Sequence, residues 1–82
     1  MRLLSEQIRA GRNLVRMQQQ ELARRSGVPV PTVKRIETTP GPVGGKYDTI
    51  EALRTTLEEA GIEFTNGDQP GVRLAPGARS TS

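Results

Sequence analysis

The sequence contains no cysteine and no histidine, and these absences exclude several kinds of chemistry. Without cysteine, the chain can form neither disulfides nor thiolate metal sites. Without histidine, it lacks the commonest general base and the commonest metal ligand. Serine–histidine and cysteine–histidine nucleophile systems are therefore excluded. No pair of carboxylates stands out in a pocket-forming context and no phosphate-binding loop is present, so we expect neither an enzyme nor a cofactor.

Long apolar runs are also absent, since the longest comprise two or three residues. A transmembrane helix needs about 20 apolar residues, so no membrane contact is expected. The N-terminus lacks the apolar core of a signal peptide, which favours a cytoplasmic location. With 82 residues and no tryptophan, the default is one small domain with an aliphatic core. A core of this size is modest, and many such domains gain stability from a partner subunit.

The charges of the chain are unevenly distributed. Residues 1–46 carry nine Lys/Arg and three Asp/Glu, whereas residues 47–82 carry three Arg and six Asp/Glu. A basic first half predicts a surface that faces a polyanion. Ordinary solvated charge would be the preferred explanation if no motif coincided with the basic half.

Apolar spacing in the first half predicts three helices. The first runs from about residue 5 to 16, with Ser5 as its N-cap. The second covers residues 19–26 and ends at Gly27, a residue type that favours the left-handed conformation after a helix. The third covers residues 30–38, with Val33 and Ile36 on its inner face.

The second half is predicted to add one helix and a hairpin. A helix starts near Asp48 with a capping box to Glu51 and ends at Gly61. Residues 62–65 and 72–75 alternate apolar and polar around a turn-rich segment, which predicts a β-hairpin. Its apolar face comprises Ile62, Phe64, Val72 and Leu74, and its other face comprises Glu63 and Arg73. We therefore predict a mainly α protein with a compact four-helix domain (1–61), a hairpin extension (62–75) and a disordered tail (76–82).

The second and third predicted helices carry a recognisable motif. They meet at Gly27 through a short link, and the small Ala23 on the inner face allows close approach. The helices must then cross steeply, which describes a helix-turn-helix whose second helix can lie in the DNA major groove. Pro29 falls at about the N-cap of the third helix and Pro31 within its first turn. Backbone N–H groups there have no helical partner, so the prolines stiffen the start of the helix at little cost.

The segment QQELARRSGVPVPTVKRIE resembles the helix-turn-helix of the phage-repressor and Cro-type (Xre-like) transcriptional regulators. The matching positions are Gln19, Leu22, Ala23, Gly27, Val28, Thr32, Val33, Ile36 and Glu37. The similarity extends from about Leu3 to Gly61. The chain departs from the family at Pro29, where Ser or Thr is frequent, in its longer loop after the third helix, and in a hairpin where many relatives have a fifth helix.

The resemblance implies that the third helix contacts base edges through Val30, Pro31, Lys34 and Arg35. Lys34 and Arg35 can donate to guanine, whereas Val30 and Pro31 offer apolar surface to a thymine methyl group. The family places Gln19 against a phosphate, sometimes also bracing the recognition helix, and Thr32, Thr39 and Lys46 are further candidates for phosphate contact. Plain solubilising charge is the alternative for Lys34 and Arg35, and it is favoured for at least one of Arg24 and Arg25.

The resemblance also implies a partly buried ion pair between Arg12 and Glu37, for which we predict a structural role. Double-stranded DNA is the expected partner, and members of the family usually bind it as two-fold dimers. The chain is thus expected to be a homodimeric regulator, most simply a repressor. The apolar face of the hairpin is a candidate dimer interface, with packing on the first and fourth helices as the alternative. A second function remains open: an antitoxin-type module that binds a protein partner through the hairpin and through Glu51, Glu58 and Glu59.

Overall fold

The computed structural model of the protein describes residues 3–65 and 69–75. Within these ranges the chain forms four helices followed by a two-stranded antiparallel hairpin, as predicted. The elements are α1 (Ser5–Leu14), α2 (Gln19–Ser26), α3 (Val30–Thr38), α4 (Tyr47–Glu59), β1 (Ile62–Thr65) and β2 (Gly71–Leu74). The predicted disordered tail and the central part of the predicted hairpin turn lie outside the described residues. None of the described helices is long and apolar enough to cross a membrane.

The bounds predicted for α2 and α3 are confirmed, but those of α1 are not. Leu4, not Ser5, is the N-cap, and its N–H donates to Gln7 Oε1 at 2.9 Å. Ser5 is buried, and its hydroxyl donates instead to the carbonyl oxygen of Glu37 at 3.4 Å. The helix ends at Leu14 because Arg16 adopts a left-handed conformation (φ 57°) that turns the chain and brings Met17 into the core.

The predicted capping box at the start of α4 is wrong. The N-cap is Lys46, and no side chain caps the helix. Asp48 lies inside the first turn, where its charge still favours the helix dipole. Glu51 is not available to complete a box because it pairs with Arg54, one turn further along α4.

The core consists of aliphatic side chains contributed by every helix and by β1. Its fully buried centre comprises Ile8, Leu22, Val33, Leu53, Leu57 and Ile62, each at most 2 % exposed. Burial of a side chain of this size contributes about 1.5–3 kcal/mol. The core therefore links the predicted DNA-binding helices to α4 and to the hairpin.

The hairpin packs on α1 and α4. This packing is the second of the two possibilities given above for its apolar face, the first being a dimer interface. Its register places Ile62 opposite Leu74 and Phe64 opposite Val72 on one face, as predicted, although β2 begins one residue earlier, at Gly71. Gly11 of α1 permits this packing, since a Cβ there would lie 3.2 Å from the side chain of Ile62. Ile62 is consequently a core residue, and it offers no surface to a partner subunit.

Candidate nucleic-acid interface

The connection between α2 and α3 is a short turn stabilised by hydrogen bonds. Gly27 adopts φ 80°, and its N–H donates to the carbonyl oxygen of Ala23 at 2.9 Å. The N–H of Val28 donates to the hydroxyl of Ser26 at 3.2 Å. A side chain at position 27 would be strained by this backbone conformation, which is why glycine is suited to it.

Proline is accommodated at the start of α3 as the sequence predicts. Pro29 is the N-cap, and its carbonyl oxygen accepts hydrogen bonds from the N–H groups of Thr32 and Val33. Pro31 lies within the first turn, where its missing N–H has no helical partner to lose. The backbone of α3 thus begins without any side-chain cap.

The outward face of α3 presents the side chains that were predicted to contact bases. Lys34, Arg35 and Pro31 are exposed, whereas Val30 and Thr32 are half-buried. Val30 also packs partly against the core, so less of it is available to a ligand. Neither Lys34 nor Arg35 forms an ion pair with any other residue in the described part of the chain. Two cations on a proline-stiffened helix are therefore free to meet a polyanion.

The buried carboxylate of Glu37, on the inner face of α3, links this helix to the rest of the domain. Glu37 is 2 % exposed, and its two oxygens accept hydrogen bonds from Arg12 Nε at 2.7 Å and Arg12 Nη2 at 2.9 Å. Gln19 Nε2 donates to the same carboxylate at 3.0 Å. Arg12 also donates to the carbonyl oxygen of Met17 at 2.9 Å, so one guanidinium joins α1, α3 and the segment before α2.

This arrangement changes what the side chain of Gln19 can do. Its amide nitrogen is bonded to Glu37, so in this structure the side chain braces α3, one of the two roles that the resemblance implies. The start of α2 keeps free backbone N–H groups, because no side chain caps it. Such a helix end attracts anions. A phosphate contact here would use the backbone together with neighbouring side chains.

Two of those neighbours were not singled out in the sequence. Gln18 and Gln20 are exposed and, with Arg12, Gln19 and Lys34, they line an open polar groove of about 460 Å³ between α2 and α3. The signal in the sequence is the run of glutamines at 18–20, which reads only as a polar stretch until the fold brings it beside Lys34. The groove joins the start of α2 to the exposed face of α3.

The C-terminal end of α3 is capped by two side chains of α1 and by Thr39, which directly follows the helix. Arg9 Nη1 donates to the carbonyl oxygen of Glu37 at 2.9 Å, beside the hydroxyl of Ser5. Thr39 Oγ1 donates to the carbonyl oxygen of Arg35 at 2.8 Å. A threonine hydroxyl has one proton to donate. Thr39 therefore caps the helix in this structure, and a hydrogen bond from it to phosphate would require that the hydroxyl turn away.

We expect Arg9→Ala to lower the free energy of unfolding by about 0.5–1.5 kcal/mol, because a carbonyl of α3 loses a hydrogen bond while that of Ser5 remains. Urea denaturation followed by circular dichroism measures the change. Asn13→Ala, at another exposed position of α1, is the control and should stay within about 0.5 kcal/mol of the parent. Equal stability of both variants would show that Arg9 does not support α3.

The loop between α3 and α4 is less free than its glycines and prolines indicate. Leu4 and Pro42 form an isolated antiparallel bridge. The N–H of Ser5 donates to the carbonyl oxygen of Gly41 at 2.9 Å, and that of Val43 donates to the carbonyl oxygen of Leu3 at 2.8 Å. The first part of the loop is thus tied to the beginning of α1, and Lys46 lies exposed at the end of the loop.

The glutamates of α4 are partly neutralised within their own helix. Arg54 pairs with Glu51 and, at 2.8 Å, with Glu58. The hydrogen bond from Arg54 lowers the pKa of the Glu51 carboxyl. On α2, Arg24 pairs with Glu21 at 2.6 Å and lowers the pKa of that carboxyl, which fits a solvated helix face. Two of the three glutamates that could form an acidic partner surface therefore already have a cationic neighbour.

Helices α2 and α3, joined at Gly27, form a helix-turn-helix whose second helix exposes two cations. Residues 8–39 match the helix-turn-helix family. This segment is a helix-turn-helix domain of the Cro/C1-type, Xre-like kind, and it implies DNA binding by a transcriptional regulator. The match includes Arg12, Gln19 and Glu37 but ends before α4 and the hairpin. No curated protein matches the chain significantly.

Proposed function

We propose that this protein is a sequence-specific transcriptional repressor that binds an inverted-repeat operator as a homodimer, with α3 in the major groove. The observation that carries the proposal is the outward face of α3, where Lys34 and Arg35 are exposed and have no acidic partner among the described residues. The buried Glu37 network beneath fixes the direction of that face. Preorganised cations on a helix of this type are suited to base-edge contact.

The chemistry of this face predicts which bases are contacted. Arg35 can donate two hydrogen bonds to O6 and N7 of one guanine, and Lys34 can donate to the same acceptors. Pro31 and the exposed part of Val30 offer only apolar surface, for which the thymine methyl group is the natural counterpart. Thr32, half-buried at the first turn of α3, is the candidate for phosphate contact. Specificity should therefore rest mainly on two cations.

The polar groove at the start of α2 supports a phosphate-binding role next to this face. Gln18 and Gln20 can donate side-chain hydrogen bonds there, while Gln19 holds Glu37. Lys46, exposed at the end of the α3–α4 loop, is a second candidate. Because each neutralised phosphate releases counterions, binding should weaken steeply as salt increases.

The small number of base pairs that one recognition helix can contact favours dimerisation. A single recognition helix covers only a few base pairs, so proteins of this type gain specificity from two half-sites about one helical turn, roughly 34 Å, apart. The described part of the chain measures 32 × 31 × 19 Å. Two copies side by side therefore have the right dimension to occupy adjacent turns of one DNA face. An occupied operator would exclude polymerase, which is the simplest mode of regulation for a protein of this size.

Selection of bound fragments from random double-stranded DNA tests the proposal. We expect enrichment of an inverted repeat whose half-sites contain guanine and thymine, with the enrichment lost at high salt. The same selection with Lys34→Ala/Arg35→Ala is the matched control and should return no repeat. If the parent protein enriched no sequence at any salt concentration, the proposed function would be wrong.

A further inference from the structure

Three large apolar side chains are exposed among the described residues, and two of them lie on elements that pack together. Leu14 is 43 % exposed at the end of α1, and Leu74 is 42 % exposed at the end of β2. Tyr47, the third, lies at the start of α4 and is 72 % exposed. Since α1 packs against β2, the two leucines call for a common explanation.

The contacts between α1 and the hairpin place both leucines at the same end of the hairpin. Gln7 Nε2 donates to the carbonyl oxygens of Thr65 and Gly71 at the turn end, at 2.9 and 3.0 Å. Gly11, one helical turn later, faces Ile62 at the open end. Leu14 follows at the next position on this side of α1, and Leu74 is the strand partner of Ile62.

We define the α1–β2 seam as the surface formed by Ala10, Leu14, Val72 and Leu74. Ala10 is exposed and Val72 is half-buried, and no member of the seam is charged. The nearest ions on the hairpin, Glu63 and Arg73, neutralise each other at 2.6 Å on its opposite face. The seam is therefore an apolar, uncharged strip on a chain whose other exposed helix faces carry ions.

One edge of the seam is an open strand edge. The N–H of Ala75 donates to the carbonyl oxygen of Gly61 at 2.7 Å, so the N–H of Ala75 points towards the hairpin interior. In an antiparallel pair such inward positions alternate with outward ones, which turns the N–H and C=O groups of Val72 and Leu74 away from β1. Within the described residues, those outward groups have no backbone partner. An open edge of this kind can pair with another strand.

The distribution of charge indicates which partner can bind the α1–β2 seam. A two-fold contact between identical chains brings each ion near its own copy, so copies repel wherever the surface carries one sign of charge. The α2–α3 side is basic, and α4 exposes Asp48, Glu58 and Glu59. The seam has no ion to repel its own copy and none to attract a charged partner. Two copies can therefore meet at the seam without placing like charges against each other.

We propose that the α1–β2 seam binds a second copy of this chain, with β2 placed against β2 of the partner. The inference rests on the proposed function in that it names the surface that joins the two DNA-binding copies. Binding at the seam leaves α3 free, because Arg12, which holds α3, lies about 160° around α1 from Leu14. The seam keeps Val72 and Leu74 of the earlier candidate interface and leaves out Ile62, which is buried within the chain.

Leu14→Glu/Leu74→Glu tests the proposal by placing like charges opposite each other in the two-fold contact. We expect its dimer dissociation constant, measured by sedimentation equilibrium, to rise by about 100-fold or more. Tyr47→Glu is the matched control, since it charges the third exposed apolar residue, and it should leave the constant unchanged. Point substitutions are preferable to removal of the hairpin, which would also take Ile62 from the core. Circular dichroism verifies folding, and Leu14→Ser/Leu74→Ser is the milder pair if the charged pair does not fold.

Binding to short duplexes separates this proposal from the proposed function. The seam variant should bind a duplex with one half-site as the parent does, but it should lose the tighter binding to the full inverted repeat. A parent protein that is monomeric up to millimolar concentration, or a seam variant that dimerises as the parent does, would overturn the seam proposal. A parent that dimerises through the seam and binds no DNA sequence would leave the seam standing and overturn the proposed function.

Discussion

Glu37→Ala is expected to lower the free energy of unfolding by about 3–5 kcal/mol. The substitution removes the acceptor of two hydrogen bonds from Arg12 and one from Gln19. Arg12 is only 14 % exposed, so its charge would be left largely out of water without a partner. Losing one member of such a pair costs more than the pair itself contributes. Since small domains are stable by about 5–15 kcal/mol, a large share of the stability would disappear.

Urea denaturation provides the measurement, and the chain offers a matched control. Glu63→Ala removes a carboxylate that also bonds an arginine, at 2.6 Å, but its partner Arg73 is 69 % exposed. Solvent screens that pair, and its loss should cost no more than about 1 kcal/mol. If Glu37→Ala and Glu63→Ala were equally stable, the buried pair would have no special structural role.

A double substitution tests whether Glu37→Ala is destabilising because Arg12 is left charged without a partner or because the contact between the two residues is lost. In Arg12→Met/Glu37→Leu both charges are removed and apolar volume is retained. Replacing a whole buried pair in this way is often neutral or stabilising. We therefore expect the double variant to be more stable than Glu37→Ala, whereas a simple sum of two losses would make it less stable.

The second and third helices were predictable because local signals mark their ends. Gly27 closes α2 through its left-handed backbone, and Pro29 begins α3 without needing a hydrogen bond from its own nitrogen. These signals depend on the backbone of one residue. No distant part of the chain competes for them, and the bounds at 19–26 and 30–38 are therefore the observed ones.

The errors fall where a side chain has a partner far away in sequence. Ser5 has the chemistry of an N-cap, but its hydroxyl bonds to the carbonyl of Glu37, 32 positions later. Gln19 also has a distant partner, since it donates to Glu37, and this bracing contact is one of the two roles that the resemblance implies. Local propensity cannot foresee such contacts, since they exist only once α1 and α3 are packed. The resemblance carried information of this kind for Arg12, because a family pattern records tertiary contacts that spacing along one helix does not.

The hairpin shows a related limit of sequence patterns. Alternation predicted the face shared by Ile62, Phe64, Val72 and Leu74, and the strand register agrees with it. The pattern did not determine whether this face covers the chain's own helices or a partner subunit. Gly11 allows this face to pack on the chain's own helices, because the absence of a side chain at position 11 lets Ile62 contact α1. What remains exposed is the end of the face, at Leu74.

Lys34→Ala/Arg35→Ala is expected to weaken binding to the selected operator by about 100-fold or more and to leave the fold unchanged. Each good base-edge contact contributes about 1–3 kcal/mol of discrimination, and the two substitutions remove both cations from the exposed face of α3. Stability should stay within about 0.5 kcal/mol, since neither side chain pairs with another described residue. Electrophoretic mobility shifts and urea denaturation measure the two quantities.

A scrambled DNA duplex distinguishes loss of base contacts from loss of charge in the Lys34→Ala/Arg35→Ala variant. If Lys34 and Arg35 contact bases, their loss should weaken operator binding far more than binding to a scrambled duplex, so the ratio of the two affinities falls. Lys46→Ala should instead weaken binding to both duplexes equally and reduce the slope of affinity against salt by about one ion. Arg73→Ala removes a cation of similar exposure from the hairpin and should change neither affinity. Equal losses on operator and scrambled DNA would mean that α3 supplies only charge, and that specificity must come from another part of the protein.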